Sequence, residues 1–455
     1  MPVASILLAL VSVCSSGILL GSSILSPPAP GLTVTTFSTG LNFPMGITRL
    51  RDGSLLVGQT VSPSTGTSFA SFYNGAGQIV RLVEQNKWGA ASGSGTVVAS
   101  GLPGAVTSVR LAGDILAVAT TGNQAANYYV GDITFFRVGN LSGPYTKVGS
   151  FHVAFDHPTS AINLALDTRP VPDSTGQYEL HFGLAAQRSL GDPGPNVVLS
   201  GLVNSSVPAG SVYRLVLDTN NFAVSGPVQV ADGLRNTGGI THDVATGDLY
   251  FGDNGYETGT TFTSADELNR LTQDSINVGT THLGYPSSYT DYATGSFVGS
   301  MGNPALYSFW KNSTPGVEGV GVNELAMAPY FFPAGLNNGI FLGFHGAFTH
   351  VGAANTLNPL LYYDFGTGTS KVIFSPGQVG VGHLDSLFST NDSLYVADFT
   401  SGAGFSPGTG VIYLVRGRLP VGVAGVPEPG TLAGALSGML AIAAVSLRRW
   451  IPARS

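Results

Sequence analysis

The sequence predicts an all-β protein, a six-bladed β-propeller, and three observations carry that expectation. The composition is poor in charge and rich in glycine. A turn leading into a short strand recurs six times. No segment between the two ends shows a convincing helical period. Charged residues make up 10% of the 455, against roughly 25% in an average soluble domain. There are 63 glycines, and the hydrophobic fraction is 43%. Such a chain has enough apolar mass to fold and favours many short strands joined by tight turns.

The repeat begins at Asp52-Gly53, Gly113-Asp114, Gly176-Gln177, Gly247-Asp248, Asn338-Gly339 and Asn391-Asp392. Each start is followed by a short run rich in Leu, Ile, Val, Tyr or Phe. Matching second strands fall at 77–82, 133–138, 210–215 and 410–415, the first three carrying Arg81, Arg137 and Arg214. Repeats of this size imply blades that bury their faces against one another. Residues 32–38 read as a strand that closes the ring by pairing with the last blade. Spacing between units is uneven, so long loops are expected at 60–76, 256–267 and 287–324, where function would lie.

The ends differ from the middle. Residues 1–30 read as a signal peptide with a Pro-rich junction, 31–420 as the propeller and 421–455 as a sorting or anchor segment. The run 4–25 is apolar and stops at Pro27-Pro28, as a secretory signal would. Val426-Pro427-Glu428-Pro429-Gly430 precedes an apolar stretch at 431–447 and then Arg448-Arg449. That stretch predicts an apolar helix just long enough to cross a thin membrane. The order of Pro-Glu-Pro, apolar helix and Arg pair resembles a PEP-CTERM sorting signal. The resemblance implies a Gram-negative bacterium, an exosortase-type processing enzyme as partner, and a link to exopolysaccharide. The expected location is the periplasm, outer surface or extracellular matrix, with membrane anchoring through 431–447. A plain tail anchor is the simpler alternative.

Composition excludes several function classes. The net charge of −7 gives no basic face for nucleic acid. The single cysteine, Cys14, lies in the N-terminal apolar run, so the propeller has neither disulfides nor thiolate ligands. Lipidation at Cys14 is weighed against a plain apolar Cys, and Val13 rather than a small residue before it favours the plain reading.

Residues 232–286 are the most informative. In order they contain Gly233-Leu234-Arg235-Asn236, Gly247-Asp248-Leu249-Tyr250, Asp253-Asn254-Gly255, Asp266-Glu267-Leu268-Asn269 and Gly284-Tyr285-Pro286. This ordered set resembles the core of the PQQ-dependent glucose/sorbosone dehydrogenases. The resemblance implies a propeller that oxidises a sugar or polyol with pyrroloquinoline quinone (PQQ) held by Ca²⁺. It places Arg235 and Asn236 beside the quinone, and backbone carbonyls of Gly255 and Tyr256 on Ca²⁺. It gives His157, beside Asp156, the role of base toward the sugar hydroxyl. A planar guanidinium suits a carboxylate or a developing quinone anion, and an oriented imidazole suits proton abstraction.

The same resemblance implies an Asp in the strand after the His, where this chain has Gly183-Leu184-Ala185-Ala186, and late cations near 343–349 and 380–385. Those two stretches contain His345 and His383, but no Lys or Arg. The alternative function is a non-catalytic propeller that binds exopolysaccharide or another surface component. Simpler structural readings stand beside each residue. Arg235 would pair with Asp232 or Asp253, Asp156-His157-Pro158 would be a turn, and Asp266-Glu267 would fix a loop. His345, His350 and His383 would be structural rather than gathered round a metal.

Overall fold

A computed structural model of the chain describes residues 29–61, 70–84, 95–125, 128–154, 164–186, 194–258, 261–300, 302–311, 319–347, 350, 352–401 and 406–417. The stretches expected to be a signal segment and a sorting tail, and the Asp156-His157 pair, lie outside the described residues. Among those described, no helix is long and apolar enough to cross a membrane.

Six sheets form the blades, antiparallel throughout except where Thr281–His282 adds in parallel to Val228–Asp232 at the edge of blade three. Their innermost strands are, in order, Met45–Arg49, Ala105–Ala112, Leu166–Pro170, Thr237–His242, Val322–Met327 and Leu384–Ser389. Each inner strand packs against the next, and the last packs against the first, so the ring is closed. The two ends of the propeller share the closing blade. Leu32–Leu41 pairs antiparallel with Gly410–Gly417 and completes blade six from the opposite end of the chain.

The six repeat starts each open the second strand of a blade: Leu55–Val61, Ile115–Ala125, Gln177–Leu184, Leu249–Asp253, Gly339–Phe344 and Ser393–Asp398. Gly113 and Gly247 have φ of 60° and 76°, a turn conformation that glycine adopts without steric cost. The recurring arginines also find a reason. Arg81, Arg137 and Arg214 on third strands pair with Asp52, Asp114 and Glu179 at 2.7, 2.5 and 3.2 Å. Arg270 does the same with Asp248 in blade four at 2.5 Å. Where exposed, such pairs add little stability; they mark register between strands.

One hydrophobic cluster fills each gap between neighbouring blades. Between blades two and three, Phe151 meets Phe182, which stacks on Tyr213. A blade's two faces cannot both be buried by its own residues, so the ring is the unit that folds. Tight approach at the ring is visible at Gly238, where a Cβ would lie 1.7 Å from the Val322 carbonyl oxygen. Gly238→Ala must push blades four and five apart. We expect a loss of about 1–3 kcal/mol, read from denaturant midpoints; an unchanged midpoint would refute this packing.

Two short helices, Ala70–Tyr73 and Gln273–Val278, depart from the all-strand expectation. Neither is long enough to show a 3.6-residue period. The second is set by Thr272, whose side chain accepts from the Ser275 N–H as an N-cap. The expected loops carry small hairpins, Glu257–Thr258 with Thr261–Phe262 and Tyr289–Thr290 with Phe297–Val298.

The ring axis is closed by charge. Arg110 of blade two donates to Asp167 of blade three at 3.1 Å and pairs with Glu324 of blade five at 3.1 Å. Blades two and five stand opposite in a ring of six, so the second pair crosses the axis. His242 of blade four meets Asp167 at 2.7 Å. Burial raises the Asp167 carboxyl, but the hydrogen bond and charge of His242, with Arg110, outweigh it and hold it below its usual value. Burial pushes Glu324 up to about 7 against the pull of Arg110.

Candidate functional site

Blade four brings the motif residues together where its strands meet the loops. The register sets Thr237 opposite Asp253, and Asp253 opposite Glu267. Asp253 accepts the backbone N–H of Arg235 at 3.0 Å and of Asn236 at 2.7 Å. It thereby folds the Arg235-Asn236 turn over the strand end. Asp266 accepts the Gly255 N–H at 2.9 Å and, from blade five, the Val322 N–H at 2.8 Å. Glu267 accepts from the Thr290 hydroxyl at 3.0 Å.

These contacts frame a cleft of about 20 Å³ lined by Arg235, Asn254, Gly255, Glu267, Tyr285 and Tyr289 among others. That is space for one water or one ion. Tyr256 sits between Tyr285 and Tyr289, with ring centroids 6.1 and 5.8 Å away.

The cleft is rich in oxygen acceptors held out of water. Burial pushes Asp253 up to about 6 and Asp266 up to about 7. Glu267 also rises to about 7, by burial and then by the charge of Asp253. The side-chain oxygens of Asn236 and Asn254 are buried, with no hydrogen-bond partner among the described residues. Of these, Asp253, Glu267 and the orphaned amide oxygen of Asn254 line the cleft itself, with Asp266 and Asn236 next in sequence to the cleft residues Glu267 and Arg235, and such oxygens suit a hard cation such as Ca²⁺.

The Arg235 side chain takes neither of the two carboxylate partners expected for it. Its guanidinium has no hydrogen-bond or ion-pair partner among the described residues. Asp232 pairs instead with His282 at 2.6 Å, and Asp253 takes the backbone of Arg235 rather than its side chain. Tyr256 is differently placed from the role the resemblance implies. Its carbonyl already accepts the N–H groups of Thr263 and Ser264 at 3.0 and 3.2 Å. Asp253, Glu267 and Asn254 offer the cleft more available oxygen. Asp266-Glu267 does fix a loop, through Gly255 and Thr290, and lends its charge to the cleft as well.

Blades five and six supply a second cluster at the same strand ends. His345 Nδ1 lies 2.8 Å from Asp385, and the His345 and His383 rings stack at 4.0 Å. His383 Nδ1 lies 2.6 Å from the His345 carbonyl oxygen. Burial, then the charge of His345, lowers His383 to about 3, so it is neutral. Asn323 ties Asp385 at 2.9 Å and follows Val322, which ties Asp266. Two of the three scattered histidines are thus gathered, in a network of protein partners; His350 is exposed. No fixed Lys or Arg stands here among the described residues. The donor set of blade four fits Ca²⁺. A tricarboxylate such as PQQ would meet one free cation among the described residues, Arg235, and a buried carboxylate, Asp385. The described residues do not fit that cofactor as the resemblance places it.

No family model matches the sequence, and no curated protein matches it. Solved structures do. The PQQ-bound aldose sugar dehydrogenase of Streptomyces coelicolor superposes with a TM-score of 0.52 at 16% identity, covering 86% of this chain and 99% of that one. A carbohydrate-active enzyme of family AA12 from Trichoderma reesei gives 0.50 at 15% identity, covering 87% and 98%. A further glucose dehydrogenase gives 0.50 at 14% identity, covering 85% and 100%. The chain therefore has the propeller fold of sugar dehydrogenases, and this likeness is one of fold.

Proposed function

We propose that this chain is an exported, sugar-dehydrogenase-like propeller that binds a saccharide or polyol over the mouth of the blade-four cleft, with Ca²⁺ as the cation inside it. The observation that carries the reading is the Arg235 guanidinium, unpartnered among the described residues, beside an ion-sized, carboxylate-lined cleft flanked by three tyrosines. Tyrosine faces cover sugar C–H surfaces, and a free guanidinium binds hydroxyl or carboxylate oxygens. Ca²⁺ would be held by Asp253, Glu267 and the orphaned amide oxygen of Asn254, and would draw sugar hydroxyls to the cleft. An exopolysaccharide of the producing cell suits an exported protein with a sorting tail. Binding without oxidation accords with the missing cations of blades five and six.

A second reading is oxidation of the sugar with PQQ, as the fold likeness and Arg235 favour. There His157 and Asp156 would supply the base. The two readings part on one measurement. The purified protein is titrated with PQQ in the presence of Ca²⁺, then with aldoses and a redox dye. Quinone uptake with dye reduction supports oxidation. Saccharide binding without either supports the first reading.

Arg235→Ala separates function from structure. Its side chain makes no hydrogen bond or ion pair among the described residues and acts on Asp253 and Asp266 only through its charge, so stability should change by no more than about 1 kcal/mol. Affinity for an acidic polysaccharide, measured by calorimetry, should fall by about tenfold or more, the loss of one charge-assisted contact. Unchanged affinity would remove Arg235 from the site.

A further inference from the structure

We propose that Glu179, His181 and His242 form a buried zinc site between blades three and four, separate from the blade-four cleft. Glu179 and His181 are two apart on the second strand of blade three, so both point to one face of it, the face that meets blade four. His242 ends the inner strand of blade four. One ligand atom from each lies within 4.8 Å of the others.

Two imidazoles and a carboxylate form a donor set that zinc accepts, with bonds of about 2.0–2.1 Å. The side chains must draw in by roughly an ångström to reach that. His181 is fully buried, and neither ring nitrogen has a hydrogen-bond partner among the described residues. Nε2 of His242 is likewise buried and unpartnered among them. The opposite nitrogen of that ring, Nδ1, faces Asp167 Oδ2 at 2.7 Å. A carboxylate behind one nitrogen, leaving the other to a metal, is the usual way a zinc-binding histidine is oriented.

Glu179 is held by Arg169 at 2.6 Å and by Arg214 at 3.2 Å. These cations fix the carboxylate but oppose further positive charge, so binding should be weaker than in sites free of arginine. Access exists. His242, Asp167 and Arg169 line a cavity of about 730 Å³ that also takes in Tyr330, Asn338 and Asn391.

The test uses the full chain, stripped of metal and then kept in excess Ca²⁺ so that the blade-four cleft is filled. Zn²⁺ is titrated by calorimetry and Co²⁺ by visible absorption. One equivalent should bind, with the intense bands of low-coordinate Co²⁺, and the melting temperature should rise. His181→Phe, which fills the buried space without a ligand, should abolish binding and the melting shift. Asp167→Asn should weaken Zn²⁺ about 10- to 100-fold. Absence of stoichiometric uptake by the folded protein overturns the proposal. So does uptake that survives in a folded His181→Phe variant. Neither result bears on saccharide binding at Arg235, which is read separately.

Discussion

Replacing Arg110 with methionine is expected to lower the unfolding free energy by about 3–5 kcal/mol. The side chain is buried on the ring axis and contacts Asp167 and Glu324 at 3.1 Å each. Its remaining guanidinium nitrogen donates to the Val109 carbonyl at 3.0 Å. Removing it takes a cation from Asp167, which is held ionised and keeps His242 as a side-chain partner, and strips Glu324 of its ion pair. Glu324 can take up a proton and lose less. The damage should therefore be greatest well above pH 7, and milder near a pH of about 5, where Glu324 is neutral in the folded state. Adding Glu324→Gln and Asp167→Asn to Arg110→Met should recover much of the loss, because the charges then vanish together. Urea midpoints at a constant slope measure each step. A loss under about 1 kcal/mol for Arg110→Met alone would mean that the ion pairs do not hold the axis shut.

How far the sequence discloses this molecule depends on whether a feature is local. The turn units at Asp52, Gly113, Gly176, Gly247, Asn338 and Asn391 are local, and each opens one second strand. Their number gives the blade count directly. Inner strands such as Leu166–Pro170 and Thr237–His242 share no turn and no common pattern, so they are invisible as a set. The motif run 232–286 converges in space, since Arg235, Asn254, Gly255, Glu267 and Tyr285 line one cleft. The part that escapes is the use of backbone groups. Nothing in the sequence says that Asp253 binds the main chain of Arg235 rather than its guanidinium, or that the Tyr256 carbonyl is taken. The Glu179-x-His181 spacing is a signal that could be seen, because residues two apart share a strand face. His242 joins them only when blade four closes on blade three.

Calcium should stabilise this protein far more at a pH of about 8 than at about 5. Asp253, Asp266 and Glu267 have folded values of about 6, 7 and 7, above their usual 3.8, 3.8 and 4.5. A carboxyl raised in the folded state contributes stability that is complete below its unfolded pKa. That contribution is lost as pH climbs through the folded pKa. Between about pH 4 and 7 the cation-free protein thus loses stability at this cleft, as three buried groups are forced toward charge. Below about pH 5 they are mostly protonated and offer Ca²⁺ little. At about pH 8 they are ionised and crowded, and a cation relieves both burial and mutual repulsion. At about 100 times its Kd, Ca²⁺ adds about 2.7 kcal/mol. Other carboxylates titrate in the same range, including Glu324 and Asp398, so the informative quantity is the difference with and without Ca²⁺ at each pH. Glu267→Gln removes one charge without changing shape. It should flatten that difference while stabilising the cation-free protein on the alkaline side. An equal Ca²⁺ effect in acid and in alkali, or one untouched by Glu267→Gln, would place the cation elsewhere and leave Arg235 facing a cleft that holds only water.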